Sequence, residues 1–204
     1  MIEHFQARRT TLVLLALSLL ALALAFPAAA TVHAAPADLF ISEYIEGSSN
    51  NKALEIYNPT AGTVDLTAYT VRLYANGGTA PNTSLPLTGT LEPGKTLLLI
   101  NTSFTTSVTL PGALKTGVVN FNGDDAVTLE KSGTVIDSFG QVGFDPGAAW
   151  TGGTLSAVDR TLRRKPGIVH GSVPAGTPAV WDLSGEWVGF PIDTFDGLGS
   201  HTAQ

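Results

Sequence analysis

After Ala35 the chain alternates apolar and polar residues at every second position, the period of a half-buried strand. Almost no window carries the three-to-four spacing of an amphipathic helix. The pattern predicts strands over Asp38–Ile45, Lys52–Tyr57, Tyr69–Ala75, Gly117–Asn120, Ala126–Glu130, Thr134–Phe139, Thr161–Arg164 and Glu186–Gly189. In Lys52–Tyr57, Leu54 and Ile56 fall on one face and Glu55 and Tyr57 on the other. Thr96–Ile100 is a solid apolar run, which predicts a strand buried on both faces. Turn residues sit between these runs: Asn58-Pro59, Asn76-Gly77-Gly78, Glu92-Pro93-Gly94, Asn122-Gly123 and Asp145-Pro146-Gly147. Lys131-Ser132-Gly133 between two short strands predicts a tight hairpin. About eight short strands joined by turns give an all-β fold, an antiparallel sandwich or barrel. Beyond Asp145 the strands thin out, and Gly152-Gly153, Pro174–Pro178 and Pro191 predict long C-terminal loops around it.

Residues 1–34 follow a different pattern. Arg8 and Arg9 precede an almost pure Leu/Ala run from Leu12 to Phe26, and Pro27 and small residues follow. Val32 and Ala34 stand at the −3 and −1 positions of a cut after Ala34. This is the layout of an export signal, so a secreted, extracellular mature protein is expected to start at Ala35 and to have no membrane span. The competing reading is a retained anchor, because the run from Leu12 to Ala30 is just long enough to cross a bilayer. The domain expectation is therefore a signal at 1–34 and one domain at 35–204.

Composition removes several kinds of chemistry. With no cysteine, there are no disulfides, thiolate zinc sites, iron–sulfur clusters or thiol nucleophiles. The net charge is −6, and taking away the two arginines and one glutamate of residues 1–34 leaves −7. That balance argues against a surface built wholly for nucleic acid, though not against a local basic patch.

Five strings, in order, then become informative. Phe40–Asn58 reads FISEYIEGSSNNKALEIYN, Asn120–Val127 reads NFNGDDAV and Ile136–Gly143 reads IDSFGQVG. Asp159–Lys165 reads DRTLRRK, and Asp193–His201 reads DTFDGLGSH. Together they resemble a bacterial lamin-tail domain, of the type found ahead of the catalytic region in secreted nucleases of the endonuclease/exonuclease/phosphatase family. The resemblance covers essentially all of 35–204 and implies an immunoglobulin-like antiparallel β-sandwich, in agreement with the strand pattern. The sequence ends four residues beyond Ser200, where such relatives continue into their catalytic region. The resemblance thus implies the sandwich and brings no catalytic residues with it.

The residues themselves offer few candidates for chemistry. Past residue 34 the histidines are His170 and His201, neither in a catalytic motif, and both read as solvated loop residues. Asp124-Asp125, after Asn122-Gly123, is either a calcium site of carboxylates and carbonyls or a turn supported by one aspartate, with Asp137 a further donor if strands bring it close. No other cofactor is expected. Glu43 falls by alternation on the Leu39/Ile41/Ile45 face, so a buried, paired carboxylate is expected there, with Lys52 or Arg72 as partner. Arg160, Arg163, Arg164 and Lys165 place four cations within six residues. They read either as a contact for phosphates or another polyanion, or as edge protection and internal salt bridges. Trp150, Trp181 and Trp187 offer stacking surfaces or loop packing.

The expected function is a secreted, non-enzymatic binding or anchoring module. Its partner is either DNA or another extracellular polyanion, bound weakly, or a protein or cell-surface component. The alternatives are an accessory DNA-binding module or truncated remnant of a secreted nuclease and, with least support, an enzyme built on the sandwich itself.

Overall fold

The computed structural model describes residues 38–174 and 181–203. The chain divides into Met1–Ala34 and Ala35–Gln204, and the fold below is that of the second unit. The expected export signal and the expected cut after Ala34 lie outside the described residues, as does most of the stretch Pro174–Pro178.

Fourteen strands occur among the described residues: β1 Phe40–Glu46, β2 Lys52–Tyr57, β3 Val64–Asp65, β4 Tyr69–Tyr74, β5 Thr83–Pro86, β6 Thr90–Leu91, β7 Thr96–Asn101, β8 Leu114–Thr116, β9 Ala126–Lys131, β10 Thr134–Phe139, β11 Thr151–Gly152, β12 Leu155–Ser156, β13 Arg160–Arg164 and β14 Trp187–Phe190. Six form one sheet in the order β14-β13-β1-β2-β7-β8, and four form a second in the order β10-β9-β4-β5. Every pairing is antiparallel except β7 with β8. The sheets enclose one apolar core, with Ile41, Tyr44, Leu54, Ile56, Leu99 and Leu162 from the first meeting Tyr69, Val71, Leu73, Val127, Leu129 and Phe139 from the second. This is the immunoglobulin-like sandwich expected from the sequence. Its centre is aromatic: Tyr44 stacks on Phe139 at 3.7 Å and on Phe121 at 4.3 Å between centroids.

Local chemistry explains most of the elements. Ser132-Gly133 joins β9 to β10 with φ of +49° and +81°, the left-handed pair that lets a two-residue hairpin follow the twist of its strands. The expected strand over Gly117–Asn120 is instead a 3-10 turn at Gly117–Val119, capped by Thr116 Oγ1, which accepts from Val118 N. Val118 and Val119 are both buried, which a half-buried strand could not do with successive side chains. A bulge between Ile41 and Glu43 changes the phase of β1. It moves Glu43 away from the Leu39/Ile41 face, so the expectation that Glu43 shares that face fails. Ile45 lies with it on the outer side of the six-stranded sheet. There Ile45, Ala53, Leu98, Ile100 and Phe104 form a second apolar cluster with Phe195 and Leu198. The six-stranded sheet is therefore covered on both faces, and all six residues of β2 are buried, Lys52 and Glu55 included. Among the described residues no helix is long and apolar enough to cross a membrane.

One polar contact crosses from sheet to sheet at the β1/β10 edge. Asp137 of β10 accepts from Ile41 N of β1 at 2.7 Å, from Ser172 N at 2.9 Å and from Ser138 N at 3.0 Å. Its two oxygens also receive Arg164 of β13 at 3.0–3.1 Å. Both side chains are 0% exposed. Removing one partner of such a pair leaves a buried charge uncompensated. Asp137→Asn is therefore expected to lower unfolding stability by about 3–5 kcal/mol. Urea denaturation of parent and variant measures this, and a loss below about 1 kcal/mol would show that the pair does not tie the sheets.

Candidate functional site

The four-cation run is not one surface. β13 alternates, so Leu162 and Arg164 point inward while Thr161 and Arg163 point out. Arg164 ends on Asp137, with Glu186 3.2 Å away, and its guanidinium lies over the Trp187 ring. Arg163 bonds Glu43 Oε1 through Nε at 3.0 Å, pairs with Asp196 through Nη2, and lies 4.2 Å over the Phe190 ring. Lys165 Nζ donates to the carbonyls of Ser184 and Gly185 at 2.7 and 3.1 Å. Arg160 is exposed. The double substitution Arg163→Ala/Arg164→Ala, the natural probe of a basic patch, removes four ion pairs within the fold instead.

The acidic turn is also directed inward. Asp125 is buried; its Oδ2 accepts from Asn122 N at 2.7 Å and its Oδ1 from Asn76 N at 3.0 Å. Burial raises its carboxyl above the ordinary value, against the pull of those two N–H groups. Asp124 is half-buried beside it. Asp137, the further donor considered for calcium, is bound to Arg164. Among the described residues no group of three or more His, Asp or Glu side chains gathers to hold a metal ion.

This turn belongs to a denser polar knot at one end of the sandwich. Glu46 ends β1 and Lys52 begins β2, so the hairpin pairs them directly. Lys52 is only 7% exposed; its Nζ donates to Glu46 Oε1 at 3.1 Å, Phe121 O at 2.7 Å and Asn122 Oδ1 at 3.4 Å. Burial raises the Glu46 carboxyl, with Lys52 opposing. Tyr44 Oη donates to Asn122 O, and Trp150 N donates to Gly123 O. No local pattern places Lys52 beside Asn122. The available signal was a lysine starting a strand otherwise buried on both faces.

The second polar feature lies under the C-terminal segment Asp193–His201, which straps the outer face of the six-stranded sheet. Glu43, Glu55 and Arg163 stand side by side across β1, β2 and β13. Gly197 sits directly over Arg163 and Glu43, where a Cβ would collide with both. Gly199 N donates to Glu55 Oε2 at 2.6 Å, Thr161 Oγ1 donates to Thr194 O, and Asp193 Oδ1 accepts from Ser48 N. Ser42 Oγ donates to Glu55 Oε1. Glu43, 2% exposed, is raised to about 7, first by burial and further by Glu55 and Asp196, with Arg163 opposing. Its partner is thus Arg163; Lys52 pairs with Glu46, and Arg72 with Glu130. His201 is not the solvated loop residue expected. It is half-buried with its ring edge-on to Phe40 and Tyr57, and burial followed by Arg164 lowers its pKa. His170 is exposed. Trp150 and Trp187 are buried and Trp181 packs against Phe139 and Trp150, so Trp150 and Trp181 fasten loops to the sandwich while Trp187 packs from β14 into its core. A cleft of about 280 Å³ beside the strap is lined by Lys95–Leu98, Thr109–Gly112 and Leu198-Gly199, without histidine or carboxylate.

The family model of the lamin tail domain matches residues 33–143. The chain belongs to the lamin tail domain family. No curated protein matches the chain. The matched part of this lamin tail domain holds β1–β10 and the polar knot around Lys52. The basic run, β13, β14 and the strap lie beyond it.

The carboxylates under the strap make it pH-sensitive. The folded-state value of Glu43 lies above its unfolded value, so its stabilising contribution is present at low pH and lost as pH rises through about 7. Glu55, raised mainly by burial, acts in the same direction. His201 acts oppositely, losing its contribution as pH falls below its ordinary value. The clean window therefore lies between about pH 8 and about 6.5. Across it, amide-exchange protection of Gly199, corrected for intrinsic rates, is expected to rise roughly threefold as pH falls. Glu43→Gln should abolish the rise; an equal rise in that variant would assign it to another group.

Proposed function

We propose that this lamin tail domain is an exported, non-enzymatic recognition or anchoring module, and that its partner is a protein or cell-surface component rather than nucleic acid. The observation that carries the reading is where its positive charge goes. Of the nine Lys and Arg in 35–204, Lys52, Arg72, Lys131, Arg163 and Arg164 each lie within salt-bridge distance of a carboxylate of the same fold. Lys165 is turned onto backbone carbonyls. A duplex gains affinity by exchanging condensed counterions for protein cations. Cations already neutralised, in a unit of net charge −7, offer little to exchange.

The alternative is an accessory module that holds DNA for a nuclease, as the resemblance to nuclease-linked domains suggests. Arg160, exposed at the start of β13, is the remaining cation of the basic run for that role. Anisotropy titration of a short labelled duplex at low salt separates the two readings. The expected result is no saturable binding up to about 10⁻⁴ M, the weak end of non-specific affinity, and no change with Arg160→Ala. Micromolar binding that weakens with salt and is reduced by Arg160→Ala would transfer the assignment to the accessory reading. DNA cleavage in magnesium, manganese or calcium that co-purifies with the chain and disappears with a single carboxylate substitution would overturn the non-enzymatic reading as well.

A further inference from the structure

We propose that Lys52 and Asn122 are placed to close an internal amide cross-link between the side chains of β2 and the loop before β9. The elements of such a bond meet in the polar knot. The amine is Lys52, buried, with Nζ 3.4 Å from Asn122 Oδ1. The proton carrier is Glu46, also buried, 3.1 Å from the same nitrogen. The electrophile is the Asn122 side-chain amide, and the loop that carries it is fixed. Its own N–H is held by Asp125, its carbonyl by Tyr44, and the next carbonyl by Trp150. Gly123 packs against Val158 closely enough that a Cβ would collide. The amide carbon is bonded to the oxygen that Lys52 already faces. A modest rotation of the Asn122 side chain brings that carbon toward the roughly 3–3.5 Å at which attack begins.

The attack needs a neutral amine, and Glu46, hydrogen-bonded to Lys52 Nζ at 3.1 Å, is placed to take its proton. An ionised Lys–Glu pair loses solvation when enclosed, and transfer of one proton across the hydrogen bond replaces two charges with a neutral amine and a neutral acid. The upward displacement of the Glu46 carboxyl favours the same transfer. Asp125 and Asp159 face this pair from the neighbouring loops; the charge of Asp159 adds to the displacement and its backbone N–H opposes it. The neutral amine attacks Cγ, so the Nζ–Cγ bond forms and the Cγ–Nδ2 bond breaks. Of the three protons on the Lys52 ammonium, one passes to Glu46, one to Nδ2, and one remains in the new amide. Nδ2 leaves as ammonia, and the exposed position of Asn122 gives it a path to solvent. The step needs no oxidant and no cofactor. Its product joins positions 70 residues apart in a chain without cysteine, where no disulfide can do so.

The test is the intact mass of the purified protein with peptide mapping, in the parent and in Lys52→Arg and Asn122→Ala. The expected parent is lighter than its sequence by one ammonia and yields a branched peptide joining Lys52 to Asn122; both variants keep their full sequence mass. Asn122-Gly123 has a competing route, in which Gly123 N attacks the same amide to give a cyclic imide of equal mass. That product persists in Lys52→Arg, is cut by hydroxylamine and gives no branched peptide, and finding it would overturn the proposal. A parent at full sequence mass after prolonged incubation at neutral pH would overturn it equally, whether or not the variants fold.

Discussion

Asp137 has room for about four hydrogen bonds on its two carboxylate oxygens, and the fold fills them from four segments. Ile41 comes from β1, Ser138 from its own strand, Ser172 from the loop after β13, and Arg164 from β13 itself. Apolar packing holds the two sheets together but is nearly indifferent to small sliding movements. A carboxylate sharing its lone pairs between strands of opposite sheets is not. Its partners fix the height at which β10 meets β1 and the depth at which β13 enters the core. Ion pairs this deeply enclosed seldom add net stability over well-packed apolar side chains, but they penalise every arrangement that leaves one charge without the other. In this sandwich they act as a register pin.

The opposite face of β1, β2 and β13 depends on that register. With Arg164 fixed inward, alternation turns Arg163 outward, and the bulge between Ile41 and Glu43 turns Glu43 to meet it. Two carboxylates, Glu43 and Glu55, then lie beside one guanidinium beneath a strap that touches them through Gly197 and Gly199, and the strap's own Asp196 pairs with the same guanidinium. Phe195 and Leu198 supply the apolar adhesion of the strap, while the carboxylates set how strongly it depends on proton concentration. Two adjacent arginines thus do unrelated work, one between the sheets and one beneath the strap, because a strand sends successive side chains to opposite faces.

That division also explains what could be read from the sequence. Strands β2, β4, β9 and β10 were legible because their alternation is regular and turns bound them, and the Ser132-Gly133 hairpin was legible from its turn chemistry. Six strands of two to four residues, β3, β5, β6, β8, β11 and β12, are too short for their period to register. The bulge in β1 was invisible because one extra residue changes no composition, yet it reverses the face on which Glu43 sits. The basic run left both a polyanion contact and internal salt bridges open, because density of charge along a chain carries no information about depth. Arg164 finds its partner 27 residues away and Arg163 finds Glu43 120 residues away, distances at which a local pattern says nothing. Lys52, considered as a partner for Glu43, pairs instead with Glu46 for the same reason: its environment is assembled from β1 and from a loop 70 residues later.

Turning charge inward has a consequence for recognition. A small sandwich has limited polar material for both architecture and contact, and charges paired within the fold offer little to a partner. Here the knot at Lys52, the pin at Asp137 and the cluster at Arg163 absorb carboxylates as well as cations. The surface therefore keeps a modest acidic excess and few strong local fields. On the proposed reading, such a surface does little to steer polyanions toward it. Selectivity on that reading comes from shape and backbone contacts at loops and strand edges. The same ties that draw charge inward also hold segments that could present such a shape: Asp125 and Tyr44 bind the backbone of Asn122, and Glu55 binds that of Gly199.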